Sequence, residues 1–211
     1  MSAAGKALRA AAGAWLCAVA GLASAATVDF RGTPASPDAR QVAQWALAGD
    51  AAGQPFAVVD KTGAMVHVFA ASGRLVGASP VLLGLAPGDE GVAGLGSRPI
   101  SAIAPHERIT PAGRFATEPG RNITGEPVVW FDYDEGLAIH RLRPAPAGEK
   151  RAARLASPTP DDNRISLGCV IVPVAFFEKV VMPVLGQRPG VVYVLPERTS
   201  AAERFGGGVD L

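Results

Sequence analysis

The chain has 211 residues, 48% hydrophobic and 18% charged, with 20 Lys and Arg against 19 Asp and Glu. That length suits one domain of ordinary size, and the apolar fraction can fill a core. A formal net charge of +1 argues against nucleic acid as partner, which asks for a clustered basic face. Gly (25) and Pro (18) are frequent while aromatics stay at 6%, so short strands and many turns are predicted rather than a coiled coil or a helical bundle.

Residues 1–25 read as a secretory signal peptide. Lys6 and Arg9 form a positive start, residues 10–23 carry no charge, and Ala23-Ser24-Ala25 is a small-x-small cleavage pattern. The apolar stretch is shorter than the ~20 residues of a membrane span. Leu16 precedes Cys17 where a lipidated cysteine would follow a small residue, so no lipid anchor and no stable membrane insertion after cleavage are expected. Loss of Lys6, Arg9 and Cys17 leaves 18 basic and 19 acidic residues and a single cysteine, Cys169. A lone thiol in an oxidising compartment is a liability unless it is buried or used.

A leader and short N-terminal helix occupy residues 26–54. Residues 26–35 are read as an unstructured leader. Ser36-Pro37-Asp38 then supplies an N-cap, a proline at the first helical position and an acidic first turn, and the helix runs to Ala48 with Val42, Trp45 and Ala46 on one face. Strands are predicted at 56–60, 64–69, 81–85, 100–104, 113–117, 128–131, 137–142 and 191–195. The glycine-rich stretch 87–99 lacks the Gly-Lys-Ser/Thr ending of a phosphate-binding loop and reads as a mobile surface loop. Residues 143–163, with Lys150, Arg151 and Arg154, read as an exposed Pro/Ala-rich insertion. Pro173 opens a second helix bearing Val174, Phe177, Val180 and Val181, and residues 197–211 form a C-terminal tail, frayed from Ser200. The main domain is placed at 55–196.

The chemistry centres on Arg164-Ile165-Ser166-Leu167-Gly168-Cys169-Val170-Ile171-Val172-Pro173. β-branched residues flank a bend at Gly168 that presents the thiol, and a helix N-terminus four residues on would favour thiolate. The amides of Gly168 and Cys169 are candidates for an oxyanion hole. Of three histidines, His67 reads as a strand residue with no task and His106 as solvated. His140, at the end of Leu137-Ala138-Ile139, suits a general base. Arg141, Arg143 and Arg164 are candidates to hold a substrate carboxylate. Asp132, Asp134 and Glu135 read as a solvated turn, and neither metal nor cofactor is implied.

Thr110-Pro111-Ala112-Gly113-Arg114-Phe115, then His140, then Ser166-Leu167-Gly168-Cys169, resembles the L,D-transpeptidase (YkuD-type) catalytic domain. The strand opening at Val58-Val59-Asp60-Lys61 and the turn at Ala71-Ser72-Gly73-Arg74 are similar too, and the resemblance covers about residues 55–196. It implies a mainly β (α+β) fold, a sandwich or barrel with a few short helices. It also implies Cys169 as nucleophile, His140 as base, Ser166 and Gly168 in the catalytic loop, and peptidoglycan stem peptides in the cell envelope or periplasm as substrate. Leu167 stands where many members have a second histidine, Ile171 where many have Arg or Asn, and the span from His140 to Ser166 is longer than usual. The expected reaction is transfer of a tetrapeptide stem to an amine through a thioester. Hydrolysis of that thioester, as in an L,D-carboxypeptidase, and a degenerate peptidoglycan-binding domain are the alternatives. Nothing in the sequence sets an oligomeric state.

Overall fold

The structure, a computed structural model, describes residues 27–206; the signal segment expected at 1–25, with Cys17, lies outside the described residues. Ten strands are assigned among them: β1 (Phe56–Asp60), β2 (Met65–Phe69), β3 (Leu75–Pro80), β4 (Leu83–Gly84), β5 (Gly113–Arg121), β6 (Pro127–Asp132), β7 (Leu137–Arg141), β8 (Arg164–Ser166), β9 (Val170–Val172) and β10 (Gly190–Val194). Eight of them form one sheet in the order β3-β2-β1-β10-β5-β6-β7-β9, while β4 and β8 pair apart from it. The fold is mainly β with a few short helices, as expected.

Neighbouring strands of the large sheet are antiparallel except at β1·β10 and β7·β9, which are parallel. Its two outer strands, β3 and β9, come together just past the end of β3. Leu82 exchanges both backbone hydrogen bonds with Ile171, at 2.8 and 2.9 Å, so the sheet curls into a nearly closed barrel. This is where the sequence reading of a strand at 81–85 differs. Pro80 ends β3, and Val81–Leu82 leave it to seal the barrel before the two residues of β4.

Strand alternation divides the side chains between two cores. Val59, Val66, Val68, Leu83, Val129, Leu137, Ile139, Val170, Val172 and Val192 point into the barrel. The helix of residues 174–185, α-helical at both ends with a π-helical turn Phe177–Val181, plugs it. Phe177, Val181 and Leu185 recur every four residues, and each is at most 2% exposed. On the outer face of β1, β2 and β10, Phe56, Val58, Phe69, Val191 and Tyr193 meet helix α1 (Pro37–Trp45) through Ala39, Val42 and Ala43. With both faces covered, β1 and β10 are buried at every position, which accounts for their unbroken apolar runs.

Helix α1 starts as the sequence indicates, Ser36 Oγ accepting from the Ala39 N–H at 3.1 Å. Three other readings change. Residues 27–35 stay irregular but are pinned by Phe30, which is 3% exposed and edge-on to His67 and Phe69 at 5.1 and 5.3 Å. Residues 100–104 form a 3-10 turn (Ile100–Ala102) between Pro99 and Pro105, because Arg98 draws in the Ala102 carbonyl and the Glu107 carboxylate and leaves no free edge for a strand. Past Ser200 the chain is helical at Ala201–Phe205, its cap closed by Ser200 and Glu203 and its Phe205 ring against Trp45 and Tyr193.

Replacing the plug residue Phe177 by Ala should cost about 3–5 kcal/mol, since the cavity opens inside a closed barrel that cannot relax around it. Urea unfolding of the two proteins measures it; a loss below about 1 kcal/mol would mean that the helix does not seal the core.

Candidate active site

Cys169 lies one residue before β9, and its partner strand is β7. The register pairs Ile139 with Val170 and His140 with Ile171, so Cys169 stands opposite Ala138 and one diagonal step from His140. Val170 and Val172 face the barrel interior, as do Leu137 and Ile139. By alternation, Cys169 and His140 both face outward, on adjacent strands. A strand spacing of ~4.8 Å and a two-residue rise of ~6.6 Å put their Cα atoms roughly 8 Å apart, a diagonal that a thiol and an imidazole can span.

The imidazole is 8% exposed, and its Nδ1 lies 2.8 Å from the Arg141 carbonyl oxygen. A carbonyl only accepts, so Nδ1 carries the proton and Nε2 is left as the basic nitrogen. Burial lowers the His140 pKa to about 4, and the nearby cations Arg143 and Arg151 act in the same direction. The thiol donates to the Gly136 carbonyl at 3.6 Å. Burial raises its pKa, opposed by a hydrogen bond from the Ala138 amide and by the charge of Arg143. The resting pair is a neutral thiol beside a neutral imidazole.

The bend that presents the cysteine is held from within. The Gly168 N–H donates to Ser166 Oγ at 3.0 Å, and the Ser166 hydroxyl donates to the Cys169 carbonyl at 2.7 Å. Gly168 has φ +137°, and a Cβ there would lie 2.7 Å from the Ile109 carbonyl oxygen and 2.8 Å from Leu137 Cδ2. Only glycine fits. Of the two amides expected to form an oxyanion hole, that of Gly168 is thus already used, while the Cys169 N–H has no hydrogen-bond partner among the described residues.

Two of the arginines expected to bind substrate are committed elsewhere. Arg141 is paired with Glu126 at 2.8 Å and with Glu178 at 3.4 Å. Arg164 points to the far side of the loop, where it is paired with Glu197. Arg143 is the cation that acts on both Cys169 and His140, and its own partner is Glu126 at 2.6 Å.

The insertion is largely exposed, as expected, but one of its helices packs against the strand that follows Cys169. Helix α2 (Arg151–Ala156) lays Leu155 on Leu82 and Ile171, and its first residue, Arg151, acts on His140. Ile171 is 1% exposed, so the apolar residue at this position answers the apolar cover above it. The glycine-rich stretch 87–99 is likewise docked. The Glu135 carboxylate accepts from the amides of Gly94, Leu95 and Gly96 at 2.8, 2.7 and 3.4 Å, which fastens the loop to the turn that carries Gly136. The sequence marked Glu135 only as part of a solvated turn. Beside that turn is a cavity of about 430 Å³ lined by Ile109, Phe115, Asp132, Glu135 and Leu137. Among the described residues, no three His, Cys, Asp or Glu side chains are placed to hold a metal ion.

No family model matches the sequence, and no curated protein is similar enough to match it. Solved structures are similar in fold. The catalytic domain of an L,D-transpeptidase from E. faecium is 18% identical over 68% of this chain and 98% of its own, with a TM-score of 0.39. An L,D-transpeptidase from Mycobacterium smegmatis is 14% identical over 67% of this chain and 58% of its own, TM-score 0.39. The helical cell shape determining protein Pgp2 from Campylobacter jejuni is 16% identical over 70% and 49%, TM-score 0.44. The match spans about half the length of Pgp2 and of the avibactam-bound carbamoyl enzyme that is also similar.

Because the folded pKa of His140 lies below its unfolded value, the unfolded chain takes up a proton that the folded one refuses. Stability should therefore fall as pH drops from about 6.5 towards 4, by up to about 3 kcal/mol from this group. Urea midpoints at pH 7 and pH 4.5 should separate more for the wild type than for His140→Asn. Equal separations would mean that His140 titrates normally.

Proposed function

We propose that the protein is an exported peptidoglycan L,D-transpeptidase with Cys169 as nucleophile and His140 as general base. The observation that carries the reading is the placement of the two side chains on the same outer face of the parallel pair β7·β9, one diagonal step apart, with His140 Nε2 left unprotonated. The motif resemblance through Thr110–Phe115 and Ser166–Cys169 supplies the reaction class. Export rests on the charge and cleavage pattern of residues 1–25. Among the described residues no helix is long and apolar enough to cross a membrane.

In this reading Sγ attacks the carbonyl carbon that joins the penultimate residue of a tetrapeptide stem to its terminal D-amino acid. His140 Nε2 takes the Sγ proton as the C–S bond forms. The oxyanion receives the Cys169 N–H, with Arg143 adding positive charge nearby. The C–N bond then breaks, His140 returns its proton to the leaving amine, and a thioester remains. An amine from a second stem attacks that thioester and gives a proton to His140; the C–S bond breaks and the sulfur is reprotonated. Ser166 and Gly168 shape the loop without touching the reacting atoms. Transfer is the reading we adopt, and hydrolysis of the same thioester is the alternative that the products decide.

Mixing the mature chain with a tetrapeptide muropeptide and weighing the intact protein tests this. A mass gain that Cys169→Ala abolishes and His140→Ala reduces by about 100-fold or more in rate, with release of the D-amino acid, is expected. Cross-linked products then mark a transferase and trimmed stems a carboxypeptidase. A folded protein that binds the muropeptide but gains no mass would make it a binding domain.

A further inference from the structure

We propose that Thr110, held in turn by the buried Lys61, is a positioning residue that aims the Cys169 N–H as the oxyanion donor. The inference rests on Cys169 being the nucleophile. It follows from the planarity of one peptide bond. In a trans peptide the C=O of one residue and the N–H of the next lie in one plane and point in opposite directions, and the described chain has no cis bonds. Whatever grips the Gly168 carbonyl therefore sets the direction of the Cys169 N–H.

Thr110 Oγ1 donates to that carbonyl at 2.9 Å. The hydroxyl has a single proton, and its direction is fixed by the Gly84 N–H, which donates to the same oxygen at 2.8 Å. All of this is buried, Thr110 itself being 0% exposed. The opposite flank of the peptide is closed too, since the space beside Gly168 is filled by Ile109 and Leu137.

The Thr110 backbone is anchored in turn. Lys61 opens the turn after β1 and is 1% exposed, and its ammonium spends its three protons on the carbonyls of Gly88 and Thr110, at 2.5 and 3.1 Å, and on Asp89 Oδ1 at 2.8 Å. Glu197 Oε1 lies 3.5 Å away. Asp89 also accepts from the amides of Glu197 and Arg198 at 2.8 and 2.9 Å, while Glu197 takes the Gly88 N–H and Arg164. Two cations and two carboxylates thus balance in a site where no side chain is more than 16% exposed. A single packing role would be met by an apolar residue. A lysine whose three donors are all spent, one of them on the residue that grips the cysteine peptide, is suited to fixing an orientation.

Two reactions of the same thiol separate orientation from mere loop integrity. Acylation by p-nitrophenyl acetate builds an oxyanion, whereas alkylation by iodoacetamide, a displacement at a saturated carbon, does not. Thr110→Val should slow acylation of Cys169 about 10-fold or more while alkylation stays within about 2-fold, and Thr110→Ser should restore acylation. Lys61→Met should shift the ratio of the two rates in the same direction; if that variant does not fold, the Thr110 pair decides. Equal loss of both rates in Thr110→Val, or loss of neither, overturns the inference. If Thr110→Val behaves as expected with p-nitrophenyl acetate but the wild type ignores the muropeptide, the transpeptidase reading fails and the positioning role stands. A muropeptide reaction indifferent to Thr110→Val gives the converse.

Discussion

Two backbone hydrogen bonds between Leu82 and Ile171 govern the rest of this molecule. Strand β9 has only three residues, and on its other side β7 alone pairs with it. Without the Leu82 bridge it would be a short edge strand free to slip. A slip of one residue would turn Cys169 into the barrel and bring a valine out in its place. The same bridge joins the first and last strands of the sheet, so the register that places the thiol is set by the closure of the whole barrel. Placing the cysteine is in this sense a property of the fold and not of its own loop.

Burial then acts in opposite directions on the two members of the pair. It lifts the thiol and lowers the imidazole, and both changes favour the uncharged forms. A site of this kind holds little charge at rest. In the proposed reaction negative charge gathers on sulfur and then on oxygen, and there Arg143 is already present with Arg151 behind it. Those cations favour the anion that develops and work against the imidazolium that forms with it, so the gain is the difference between the two effects. Stabilisation that grows only as charge develops is the kind that lowers a barrier.

What could be read from the sequence follows the range of the forces involved. Strand β1 and the start of helix α1 were legible because alternation, apolar runs and capping act over a few residues. The pairing of Cys169 with His140 came from motif order, since only parallel pairing of β7 with β9 makes them neighbours. Contacts between distant segments left no local trace. Lys61 to Asp89, Glu135 to the amides of 94–96 and Leu155 to Ile171 each join parts of the chain that carry no shared pattern. A lysine after an apolar strand reads as a solvated turn residue, and nothing nearby says that it is buried. The arginines show the same limit: nearness to Cys169 in sequence suggested Arg164, whereas the bend at Gly168 sends the two side chains to different surroundings.

The departures from the family pattern are better understood together than one by one. A polar residue at position 171 would sit under helix α2, among Leu82 and Leu155, with no partner for its hydrogen-bonding groups. The long span between His140 and Ser166 supplies that helix, and Ile171 supplies the surface on which it rests. Arg151, the first residue of the helix, adds a positive charge that lowers the His140 pKa. Insertion and Ile171 are complementary, the one supplying the apolar cover that the other meets. Arg151 acts on His140 alone, whereas Arg143 acts through space on both His140 and Cys169.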